Sequence, residues 1–113
     1  MNQPFTESEE ELSALCNRVR ALARKGDHAE CDRLIANAMS KYPHAPQPHN
    51  LMGILFEMKK NHISAMKHFR AAWALDPTYL PARHNLDTYA SFQPSGQYAL
   101  DEKDLRIERR ELP

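Results

Sequence analysis

Six histidines and two cysteines are the residues of this chain whose types suit metal binding or nucleophilic attack. His28 and Cys31 stand at a helix-compatible spacing, yet two ligands fall short of the three or four that a zinc site uses. His44 and His49 flank a proline-containing loop, and His62 and His68 lie six apart, so neither spacing makes a helical pair. A Cys–His nucleophile needs an exposed, activated thiol beside a base and a third orienting group. Cys16 instead falls within an apolar stripe with no histidine near it in sequence, and Cys31 takes a small-residue core position. The carboxylate pairs Glu9–Glu10 and Asp101–Glu102 belong to polar runs, with no apolar pocket to raise one pKa. Gly26, Gly53 and Gly96 are too widely spaced to cradle a phosphate. The expectation is a protein that is not an enzyme and carries neither metal nor cofactor.

Bulk properties narrow the classes further. A chain of 113 residues is one small domain. Hydrophobic residues at 42% and charged residues at 27% argue for a folded chain. Lys plus Arg and Asp plus Glu are each 15, so the net charge is zero, and a basic nucleic-acid binder is not expected. No run approaches the roughly 18 apolar residues of a membrane span, so no membrane partner is expected. The segment Met1–Thr6 lacks the positive start and apolar middle of a secretory signal. With only two cysteines, the default setting is reduced and cytoplasmic.

Charge is uneven along the chain. Residues 1–12 carry a net −4, residues 13–70 a net +6, and residues 71–113 a net −2. The acidic start suits a helix N-terminus, where carboxylates favour the macrodipole. Both Thr6-x-x-Glu9 and Ser8-x-x-Glu11 fit a capping box there.

The elements that must position any site repeat with a fixed period. Pro43 and Pro77 are 34 residues apart, and the same shift places Leu22 on Phe56, Cys31 on Ala65, Ile35 on Phe69 and Ala38 on Ala72. Two windows follow, 12–45 and 46–79, each reading as two amphipathic helices. Gly26 suits a left-handed C-terminal position, while Asp27 and Asn61 suit N-caps. Pro46 and Pro48 fit a first helical turn. Residues 79–91 predict a fifth, capping helix with Tyr79, Ala82, Leu86, Tyr89 and Ala90 on one face. Trp73 is expected to pack between the second repeat and that cap. The third window then departs: Gln93-Pro94-Ser95-Gly96 signals a turn or linker, and Lys103 and Arg106 fall where Phe69 and Ala72 fell. Residues 92–113 are therefore expected as a linker and polar tail, with residues 101–111 a polar helix at most. Leu105 and Ile107 are its main apolar residues.

These residues resemble the tetratricopeptide repeat, a helix–turn–helix unit of the same period. Gly53, Phe56, Ala65, Phe69, Ala72 and Pro77 stand at the family's small, aromatic and terminal proline positions. The first window departs from the pattern at Arg18, Val19 and Cys31, and His49 replaces an aromatic. The resemblance covers residues 12–91. It implies an all-α fold of antiparallel helix-hairpin repeats, a short α-solenoid over residues 1–91 with a capping helix.

The resemblance also implies a function: non-catalytic binding of a partner protein or peptide on the concave face formed by the first helices of successive repeats. Carried over by repeat position, that face comprises Cys16, Arg20, Arg24, Asn50, Ile54, Met58 and His84, with Thr88 at its edge. Its basic and amide groups suit a segment with acidic character. The net +6 of residues 13–70 points the same way through steering. The Lys and Asn set with which some members clamp a C-terminal carboxylate is not reproduced. The corresponding places hold Cys16, Arg20, Leu51, Pro81 and Asn85, with Asn50 one residue away. The leading expectation is a small adaptor. The alternative is a homo-oligomerisation module, since the ends of a repeat stack are apolar unless capped.

Overall fold

A computed structural model describes residues 6–90 and 98–105. Five α-helices lie among the described residues: α1 (Glu7–Arg24), α2 (His28–Lys41), α3 (Pro46–Met58), α4 (His62–Leu75) and α5 (Leu80–Ala90). A helical turn begins at Glu102. No strand occurs among the described residues.

Local chemistry sets the helix ends. Of the two candidate capping boxes, the one at Thr6 forms: the Thr6 hydroxyl accepts from the Glu9 amide at 3.2 Å, and the Glu9 carboxylate accepts from the Thr6 amide at 3.2 Å. The turn after α1 is a Schellman motif. The Asp27 amide donates to the Leu22 carbonyl at 2.9 Å and the Gly26 amide to Ala23 at 3.0 Å, with Gly26 at φ 77°. The same two bonds recur after α3, from Asn61 to Phe56 at 2.8 Å and from Lys60 to Glu57 at 2.9 Å, with Lys60 at φ 62°. The N-caps that follow match as well, Asp27 accepting from the Glu30 amide and Asn61 from the Ser64 amide, each at 3.2 Å. The period seen in the sequence is thus reproduced bond for bond at the two turns.

Each helix pair packs as a hairpin, and the hairpins stack. Helix α3 adjoins both α1 and α5 to form an inner layer, with α2 packed against α1 and α3, and α4 against α3 and α5. Where α3 meets α4 the approach is close: a Cβ on Gly53 would lie 2.5 Å from Phe69 Cε1. Ala65 and Ala72 are fully buried beside Phe69, whose ring stacks on Tyr89 of α5 at 5.8 Å. Ile35, Leu51 and Leu55 complete the centre of the core. Trp73 differs from expectation. It is 37% exposed, donates from Nε1 to the Pro77 carbonyl at 3.2 Å, and has the Arg83 guanidinium 5.2 Å above its ring. Phe69 and Ala72 occupy the inward positions, and Trp73, about 100° round the helix from Ala72 and about 40° from Phe69, lies at the edge of that stripe on the α4–α5 corner.

The larger difference lies beyond α5. Residues 98–105, expected within a polar tail, pack against the inner layer instead, with Ala99 and Leu100 buried and Leu100 part of the main core. A helical register does not reveal such a segment, because side-chain amides hold its backbone rather than a periodic apolar stripe. The expected turn at Gln93–Gly96, Arg106, Ile107 and residues 1–5 lie outside the described residues.

Candidate functional site

The repeat period places Cys16, Asn50 and His84 at one level of α1, α3 and α5, and Arg20 and Ile54 at the next. Their surroundings differ sharply. The Cys16 side chain is buried, and burial above all pushes its thiol up to about 12. Ile54 is buried core, and Met58 packs partly buried against it. His84 is half-buried with its Nε2 3.5 Å from Thr88 Oγ1, and Arg24 is exposed. Arg20 and Asn50 face the segment that crosses the inner layer.

That segment is held first through its backbone. The Ala99 amide donates to Asn85 Oδ1 at 2.7 Å. Because a backbone N–H only donates, this bond fixes the orientation of the Asn85 amide. Its Nδ2 therefore donates to the Ala99 carbonyl at 2.8 Å and to Asn50 Oδ1 at 2.8 Å. Asn50 Nδ2 in turn donates to the same Ala99 carbonyl at 3.0 Å. Both asparagines are fully buried, so each bond is worth more than at a surface and each loss leaves a costly orphan.

Charge holds the other end. Arg20 Nη1 donates to Asp104 Oδ1 at 2.9 Å, and Nη2 lies 3.0 Å from Asp101 Oδ1. All three side chains are less than a quarter exposed. Asp104 also accepts from the Leu100 amide at 2.8 Å, and Lys103 Nζ reaches Asn17 Oδ1 at 3.4 Å. The segment thus runs from α5 across α3 to α1. Arg20 and Asn50 were legible from repeat position. Asn85 was visible only as one place of the clamp comparison, Asp101 was read only as one of a carboxylate pair in a polar run, and Asn17 and Asp104 carried no signal in the sequence.

Beside the segment a cavity of about 730 Å³ opens between the start of α1 and the start of α3, lined by Glu9, Glu10, Ser13, Gln47, Tyr79 and Glu102 among others. Among the described residues Gln47 Oε1 is buried there without a hydrogen-bond partner, the Tyr79 hydroxyl lies beside the Cys16 thiol, and burial raises the Tyr79 pKa. A second polar cluster lies across α3 and α4, where His49 Nδ1 and His68 Nδ1 are 3.1 Å apart and Phe56 stacks on His68 at 5.4 Å. Burial lowers both histidine pKa values, with His49 adding to the effect on His68. This pair joins residues of two helices, which spacing along one helix does not reveal.

Among the described residues no three or more His, Cys, Asp or Glu side chains are grouped to hold a metal ion. Likewise no described helix is long and apolar enough to cross a membrane. Fold and site together define a short all-α solenoid of helical hairpins whose inner face holds a segment of its own chain. No protein-family model, curated protein or solved structure matches it.

Proposed function

We propose that this chain is a small tetratricopeptide-type adaptor, non-catalytic, that binds an extended partner segment on the inner face of α1, α3 and α5. The observation that supports this most is the way Asn85 pairs with both the N–H and the C=O of Ala99 while Asn50 donates to the same carbonyl. Contacts to a backbone amide accept many sequences, so the asparagines supply affinity, and flanking groups supply selectivity. Arg20 is the selective group, with two carboxylates spaced three residues apart as its partners. A partner segment with acidic character fits this set.

Panning a displayed peptide library against the wild-type chain and an Arg20→Ala chain tests the reading. The expected result is a family of sequences with carboxylates, enriched on the wild type alone. No enrichment, or enrichment indifferent to Arg20, excludes the groove as a peptide site.

A further inference from the structure

The inner face is already occupied by a segment whose backbone and carboxylates, as well as its apolar side chains, are held by the helices. Tyr98–Asp104 contributes Ala99 and Leu100 to the interior, while its backbone is held by side chains of α3 and α5 and its carboxylates by α1. The groups of this face that would recognise a peptide are already engaged: both amides with Ala99, and Arg20 through a hydrogen bond to Asp104 and an ion pair with Asp101.

We infer that Tyr98–Asp104 is a built-in competitor that keeps the groove closed, and that the external partner carries the same chemistry. This inference rests on the proposed peptide-binding role of the groove. The partner segment has a small residue whose N–H and C=O pair with Asn85 and whose C=O also accepts from Asn50, and an aliphatic residue follows it in the place of Leu100. Carboxylates two and five positions beyond the small residue meet Arg20, as Asp101 and Asp104 do. A larger residue in place of Ala99 meets a site where the native side chain is 1% exposed. A tethered segment acts at high effective concentration, so an outside ligand sees only the fraction of molecules whose groove is open. Weakening the segment therefore raises apparent affinity without altering the groove.

The probe is a fluorescein-labelled peptide with the sequence Tyr-Ala-Leu-Asp-Glu-Lys-Asp-Leu, titrated into the full chain and into the full chain carrying Asp101→Asn and Asp104→Asn. The double variant is expected to bind the probe about tenfold more tightly or better than wild type. Adding Arg20→Ala to the variant is expected to abolish that gain. Equal affinity for both chains overturns the inference but leaves the groove reading standing, because the probe still binds. Failure to bind either chain overturns the inference as well, while the groove reading then stands or falls on the library panning. A second measurement does not depend on the variant folding. When excess unlabelled peptide is added to the ¹⁵N-labelled wild-type chain, the Ala99 amide signal is expected to move to its solvent-exposed position. The Asn50 and Asn85 side-chain amides are expected to keep their bound shifts. An Ala99 signal unmoved at saturation overturns the inference.

Discussion

Asn85 Nδ2 donates to Asn50 Oδ1 at 2.8 Å, and the two amides converge on one acceptor, the Ala99 carbonyl. Neither side chain reaches solvent. Two helices of successive repeats are thereby joined through a peptide group that belongs to neither.

Asn85→Ala is expected to cost about 1–3 kcal/mol, because it strands the Ala99 N–H in the interior. Asn85→Asp keeps an acceptor for that N–H yet sets a carboxylate against Asn50 Oδ1 and the Ala99 carbonyl, so at neutral pH it is expected to be at least as damaging. Urea denaturation of the two variants provides the check. An Asp variant as stable as wild type would contradict the assigned amide orientations.

Arg20→Ala removes the shared partner of Asp101 and Asp104. A loss of about 1–2 kcal/mol is expected, discounted for partial exposure. Hydrogen exchange at Ala99 and Leu100 should accelerate far more than exchange in α3 and α4. Uniform acceleration across all helices would mean that Arg20 supports the whole stack rather than the segment.

Lys60 adopts at φ 62° the conformation that Gly26 adopts at φ 77° one repeat earlier. A side chain is strained there and glycine is not, so Lys60→Gly is expected to stabilise the chain by about 0.5–1 kcal/mol. Thermal melts decide it, and a lowered midpoint would mean that Lys60 makes compensating contacts.

Gly53→Ala introduces a Cβ against the Phe69 ring, with 2.5 Å available. A destabilisation of about 1–3 kcal/mol is expected from this overpacking. The same substitution at Gly26 has nothing within 4 Å to strike but is opposed by its positive φ. Comparing the two separates steric from backbone strain, and a neutral Gly53→Ala would show that α3 and α4 can part freely.

The His49–His68 pair gives a pH dependence of known sign. Both pKa values are lower in the folded chain than the ordinary 6.5, so the unfolded chain binds protons first as pH falls. Stability is fully present above 6.5 and is lost as pH falls from there through the folded-state values. Urea midpoints at about pH 7.5 and about pH 5 should differ, and His49→Gln should reduce the difference. An unchanged difference in that variant would assign the effect to other groups.

The helices, their turns and the hairpin stacking were readable from the sequence because each depends on local chemistry or on a periodic apolar pattern. Thr6 with Glu9, Gly26 with Asp27, and Asn61 act within a few residues of themselves, and Ala65, Phe69 and Ala72 recur at helical spacing. Arg20 and Asn50 could be grouped on one face for the same reason, since both occupy repeat positions of the first helices. What only the tertiary structure decided is that this face is filled. Ala99, Leu100, Asp101 and Asp104 form no periodic pattern, and their partners Asn85, Asn50 and Arg20 lie 14, 49 and 84 residues away in the bonds that join them. Contacts of that kind depend on where three helices stand relative to one another, so no spacing along the chain encodes them. The sequence alone determined a helical-hairpin stack with a basic and amide-bearing inner face, and the folded chain determined what sits in it.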